Sequence, residues 1–231
     1  MIQNVSYVGH YLVAPLPRMG EKFLEKAWCL PNEWINDRIV LVVGIGGGCD
    51  IISALAVKED LKNRFSPKEI HYANTIGPRV LDDCIEICSH VYRLDSTQKP
   101  IDSSVSTYHT TLIEQSLPRD EYGSPYLFVV PHRDGGSVNE ITERNREAFL
   151  KNLLSLRHWD LIIGVDAGGD SLTGGIDYKM HPALGRDRQM LTILAGSGVR
   201  FLHFLIAPCC DGETPTDIMK TTIDEADSKG Y

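Results

Sequence analysis

The chain has 231 residues, 42% of them hydrophobic, which suffices for one large or two small domains with a substantial core. Acidic residues outnumber basic ones by 31 to 23, for a formal charge of −8, and Lys and Arg never cluster, so nucleic acid is not an expected partner. Six scattered cysteines form no disulfide framework, Met1–His10 lacks the pattern of a secretory leader, and no apolar run approaches the ~20 residues that cross a bilayer. A cytoplasmic protein without a membrane partner is the expectation.

Residues 1–38 read as an N-terminal arm or cap. Pro15-Leu16-Pro17 interrupts regular structure, after which Phe23, Leu24, Ala27 and Trp28 recur at helical spacing. Residues 39–231 read as a single α/β domain, because strand-like and helical periods alternate there. A strand over Ile39–Gly44 leads through a glycine turn to a helix over Asp50–Lys62, with Ile51, Ile52, Leu55 and Ala56 on its apolar face. A second strand is expected over Glu69–Ala73, followed by a helix over Arg79–Ser89 whose stripe is Leu81, Cys84, Ile85 and Cys88. The spacing then gives a short strand over His90–Leu94 and a polar stretch, Asp95–Pro125, with a helix around Tyr108–Ser116.

A strand over Tyr126–Pro131 precedes a helix announced by Ser137-Val138-Asn139-Glu140, in which Ser137 and Glu140 can cap one another's backbone N–H groups. Next come a strand at Leu161–Val165, a helix at Arg186–Ala195 stopped by Gly196 and Gly198, and a strand at Phe201–Pro208. The last helix starts at Thr214-Pro215-Thr216-Asp217, with Pro215 at its first position. The predicted fold is a doubly wound, mostly parallel sheet of five or six strands.

Four of these strands run directly into glycine or proline and an acid: Gly44–Asp50, Arg133-Asp134 after Pro131, Asp166–Asp170, and Asp211-Gly212-Glu213. In open parallel sheets the ligand crevice lies outside the carboxyl ends of the strands, so the four tips predict one shared, acidic, glycine-floored site. Asp166 and Asp170, four residues apart across Gly168 and Gly169, are the catalytic candidates. Two convergent carboxylates can hold a hard cation, bind a ribose diol or activate water, and each can equally be a local cap. Asp50, Asp166 and Asp170 are the metal candidates, with Mg2+ or Ca2+ as the cofactor they would suit. Gly44, Gly46, Gly47, Gly48, Asp50, Asn74, Arg133, Asp134, Gly168, Gly169, Arg186, Arg188, Asp211 and Glu213 are the ligand-binding candidates. Arg186 and Arg188 either grip an anion or neutralise nearby aspartates.

Other motifs fail. Gly44-Ile45-Gly46-Gly47-Gly48-Cys49 departs from the dinucleotide fingerprint at its third glycine and puts Asp50 where a pyrophosphate would approach. His132-Arg133-Asp134 with Asn139 matches a kinase catalytic loop only in spacing. No Cys/His set has zinc spacing, and His71, His90, His109, His158 and His203 read as structural.

The ordered set Val43–Ala56, Gly164–Leu172 and Asp211–Glu213 resembles an uncharacterised prokaryotic family, domain of unknown function number 1152, over roughly Ile39–Tyr231. The resemblance implies a Rossmann-like fold and brings no established activity, so it assigns no residue a role. Cys49 stands where the family pattern leads one to expect another glycine, and family members usually continue past the point that corresponds to Tyr231, so part of the site is expected to be absent or replaced.

The first functional expectation is a hydrolase or group transferase acting on a nucleoside, nucleotide or sugar-phosphate-like small molecule. The alternatives are a non-catalytic nucleotide sensor that signals through homo-oligomerisation or a partner, and an NAD- or flavin-linked oxidoreductase.

Overall fold

The computed structural model describes residues 30–46, 50–76, 84–94, 112–119, 121–129, 143–175, 185–210 and 212–228. The N-terminal arm up to residue 29, the Ser137/Glu140 cap and the site candidates Gly47, Gly48, Arg133, Asp134 and Asp211 lie outside the described residues.

The elements in chain order are α1 (Asn32–Ile35), β1 (Ile39–Gly44), α2 (Asp50–Arg64), β2 (Glu69–Ile76), β3 (Cys84–Cys88), β4 (Val91–Leu94) and α3 (Leu112–Ser116). They continue with β5 (Tyr126–Val129), α4 (Glu143–Leu156), β6 (Leu161–Ala167), α5 (Asp170–Thr173), α6 (Arg186–Ala195), β7 (Arg200–Ile206) and α7 (Thr216–Ser228). The strands form one sheet of seven in the order β3-β4-β5-β2-β1-β6-β7. The ladders β1–β2, β1–β6, β2–β5 and β6–β7 are parallel; β3–β4 and β4–β5 are antiparallel. This is a mixed α/β fold with a mostly parallel sheet.

The strand count corrects the sequence reading, and so does one element. Cys84–Cys88, expected within a helix, is an edge strand in a hairpin with β4. Cys84, Ile85 and Cys88 fit a helical stripe, but Cys-Ile-Glu-Ile-Cys also alternates at period two, and a short apolar run does not choose between the two periods. The hairpin turns at Ser89-His90, where His90 takes φ +69°, a conformation a continuing helix does not allow.

Strand alternation sorts the core onto both faces of the sheet. Val40, Val42, Leu161, Ile163, Leu202 and Phe204 meet Ile51, Ala54, Val57 and Leu61 of α2 on one face, where Ile35 of α1 is also fully buried. Leu41, Val43 and Ile162 meet Phe149 and Leu153 of α4 and Met190, Ile193 and Leu194 of α6 on the other. Burying each large aliphatic or aromatic side chain is worth about 1.5–3 kcal/mol, so both layers hold the sheet firmly.

The chain leaves β1 towards β2 on one side, and β1's other neighbour is β6, reached only after β5. Between β1 and β6 the order of the sheet therefore reverses. At the carboxyl end of that pair, Gly44 lies level with Val165 and with Asn74 of β2. A Cβ on Gly44 would come within 2.7 Å of the Asp50 carbonyl carbon, so glycine is what lets α2 begin directly against the strand end.

Candidate functional site

The reversal point is lined by carboxylates brought from three elements. Asp50 opens α2, Asp166 is near the end of β6 and Asp187 lies in the first turn of α6. One carboxylate oxygen from each lies within 4.8 Å of the others, and all three side chains are buried. Asp170, at the start of α5, adds its charge to the same group.

Backbone amides hold two of the carboxylates in place. Gly46 N–H donates to Asp50 Oδ2 at 2.7 Å, and Ala167 N–H donates to Asp50 Oδ1 at 3.2 Å. Asp50 thereby ties the β1–α2 turn to the end of β6. Asp166 receives Gly169 N–H on Oδ1 and Ser171 N–H on Oδ2, each at 3.2 Å. These bonds need the sharp reversal at Gly168 and Gly169, whose φ values of +126° and +111° disfavour any other residue. The Ser171 hydroxyl also donates to Asp166 Oδ2, and its oxygen lies 3.2 Å from Nε2 of buried His203 on β7.

The electrostatics of this arrangement are costly. Burial, then the charge of Asp166, raises the Asp50 carboxyl well above its ordinary value, against the amides of Gly46 and Ala167. Burial and the Asp170 charge push Asp166 up to about 7 even though Ser171 and Gly169 favour its ionised form. Burial raises Asp187 well above the ordinary range as well, followed by the charge of Asp170 and a hydrogen bond with it. The Arg186 guanidinium, at 3.8 Å from Asp187 Oδ1, is the nearest cation to the group among the described ion pairs. His203 is held down at about 4 by burial and is neutral at physiological pH. Like charges this close are tolerated in only two ways: protons stay on, or a cation comes in.

Several sequence candidates meet here. Gly46 stands between two of the acids: a Cβ on it would run into the carboxylates of Asp50 and Asp187. Gly44, Gly168, Gly169, Asp50, Asp166 and Asp170 all belong to the site. Arg186 reaches its rim. Glu213 is exposed, and its backbone carbonyl borders Gly175, which in turn borders Asp170, so the fourth tip adjoins the cluster.

Other candidates turn elsewhere. Arg188 donates from Nη1 to the Leu172 carbonyl, which ties α6 to α5. Asn74 donates to Glu114 Oε1 at 2.7 Å, and both are buried. By register with Gly44 it lies on the α2 face of the sheet, the face opposite Asp166.

Three contributors were missed in the sequence reading. Asp187 was taken only as a partner for its flanking arginines, although an acid in the first turn of a helix after Gly185 is a signal worth following. Ser171 carries the simplest missed signal, five residues beyond Asp166 across a glycine turn. His203 had none, because its meeting with Ser171 depends on the pairing of β6 with β7. A groove of about 450 Å³ between Leu154–Asp160 and Gly198–Arg200 lies at the amino ends of β6 and β7, away from these carboxylates. No family model matches the chain, and neither a curated protein nor a solved structure matches it.

Proposed function

We propose that the protein is a divalent-cation-dependent enzyme, a hydrolase or group transferase acting on a nucleoside, nucleotide or sugar-phosphate-like small molecule. The observation that carries this reading is the convergence of Asp50, Asp166 and Asp187 within 4.8 Å at the reversal point of the sheet. Hard divalent cations take carboxylate oxygens, and Mg2+ in such sites is commonly held by one or two carboxylates together with substrate phosphates. Three buried acids with raised affinity for protons are a donor set that a cation would neutralise. The parallel strand order β5-β2-β1-β6-β7 supports the Rossmann-like reading, since such sheets bind ligands at this crevice.

In this mechanism Asp50, Asp166 and Asp187 would hold the cation, which would supply Lewis-acid polarisation of a phosphoryl or carbonyl oxygen and lower the pKa of water. Asp170, beside them and less enclosed, accepts the proton of the attacking water. The Arg186 guanidinium, at the rim beside Asp187, would meet the anionic part of the substrate. A dinucleotide enzyme fits less well, because the Gly46 amide is already bonded to Asp50 and two carboxylates flank the turn.

Calorimetric titration of EDTA-stripped protein with Mn2+, Mg2+ and Ca2+ tests the reading. One saturable site that disappears in Asp187→Asn is expected, followed by thermal stabilisation by nucleotides only in the presence of the cation. At a ligand concentration near 100 Kd that stabilisation should be about 2.7 kcal/mol. Absence of any cation binding would overturn it. Cation-independent nucleotide binding without turnover would favour the sensor.

A further inference from the structure

We infer that Ser171 and His203 are positioning residues that fix the Asp166 carboxylate in the orientation a cation requires, an inference that rests on the cation reading of the site. The three side chains form a series through the interior, from β7 to α5 to β6, and each is buried. A carboxylate at the end of a strand has two soft torsions, and buried beside Asp50 and Asp187 it would rotate away from them to relieve repulsion. The Gly169 amide fixes one of its oxygens; the Ser171 amide and hydroxyl fix the other.

The hydroxyl has a single proton, and that proton goes to Asp166 Oδ2. Its oxygen is then an acceptor, so the partner at 3.2 Å, His203 Nε2, must bear hydrogen. The series thus has one direction when the carboxylate is ionised: His203 donates to Ser171, and Ser171 donates to Asp166. The buried ring keeps the hydroxyl from swinging towards another acceptor. Outer partners of this kind orient metal-ligating groups, and losing one typically costs 10–100-fold in metal affinity.

The test uses the EDTA-stripped full chain and Mn2+ as the probe, with free Mn2+ read by electron paramagnetic resonance. Ser171→Ala should weaken Mn2+ binding by ~10-fold or more, while Ser171→Thr, which retains the hydroxyl, stays near wild type. His203→Leu should weaken binding in the same direction, and His203→Gln, whose amide can still donate, should restore much of it. Thermal melting of each variant in EDTA identifies any loss that comes from unfolding, and the conservative variants then carry the comparison. In the Mg2+-loaded wild type, 15N spectra should place the His203 ring proton on Nε2. Wild-type affinity in Ser171→Ala, equal losses in the Ala and Thr variants, or the opposite tautomer would each overturn the positioning role while leaving the cation site intact. A wild-type protein that binds no Mn2+ would instead remove the cation reading, and this inference with it.

Discussion

Raising the pH of the metal-free protein above 6.5 should destabilise it, contrary to the usual effect of ionising surface carboxylates. Burial and the neighbouring Asp170 lift Asp166 from 3.8 to about 7. A carboxyl that keeps its proton only in the fold stabilises the native state at low pH, and that contribution is lost as pH rises to its folded value. Over about 3 units, at 1.36 kcal/mol per unit, the loss is ~4 kcal/mol. His203 acts in the opposite sense. Burial holds it at about 4 instead of 6.5, so stability is gained as pH rises through that interval, by ~3 kcal/mol. His71, also lowered by burial, adds to the gain.

The two trends offset one another below pH 6.5, and the clean window lies above it. As pH rises past 6.5 the histidine contribution fades, while Asp166 holds in the fold, up to about 7, a proton that the unfolded chain has released, and Asp50 and Asp187 are shifted in the same direction. At about 1.4 kcal/mol per pH unit for each carboxyl that still holds its proton, stability in EDTA should fall as pH rises through this window. Urea denaturation in EDTA at closely spaced pH values measures it. The same series in saturating Mn2+ should lose this slope, because a bound cation displaces the protons. Stability in EDTA that stays level or rises across the window would refute the claim that these acids are buried together without compensation.

Three substitutions probe separate parts of the structure. Gly46→Ala drives a methyl group into the carboxylates of Asp50 and Asp187, and should weaken Mn2+ binding at least ~10-fold by resonance titration. Gly169→Ala forces a side chain onto a backbone at φ +111° and towards Met219, which should cost roughly 1–3 kcal/mol by urea denaturation. Phe149→Ala removes a fully buried ring from the α4–α6 layer and should cost ~3–5 kcal/mol, with Mn2+ affinity in the folded fraction unchanged.

The parts of this fold that could be read from sequence are those set by local chemistry. The β1–α2 unit announces itself because Gly44 permits a close strand–helix turn, and α6 because Gly185 and Gly196 bracket a periodic stripe. Cys84–Cys88 was misread because its period is decided by pairing with β4, which no local pattern encodes. The site follows the same division. Asp50, Asp166 and Asp170 sit on strand-to-helix turns and are visible in one dimension. Asp187 joins them only because α6 packs on the face of the sheet that carries Asp166, and His203 only because β7 pairs with β6.

The position of Asp50 decides how the reversal point can be used. The first amides of a helix, together with its dipole, attract an anion, and in dinucleotide enzymes that anion is a pyrophosphate. Here the anion is part of the protein: Asp50 takes the Gly46 amide and reaches across to Ala167. One buried carboxylate there would be a simple cap, satisfied by two backbone donors. Asp166 and Asp187 turn the same place from a spot that attracts negative charge into one that repels it. In the proposed function, a phosphorylated ligand would then approach only behind a cation. That ordering, metal first and anion second, is what the proposal requires of three aspartates occupying the place where nucleotide-binding parallel sheets ordinarily offer bare amides.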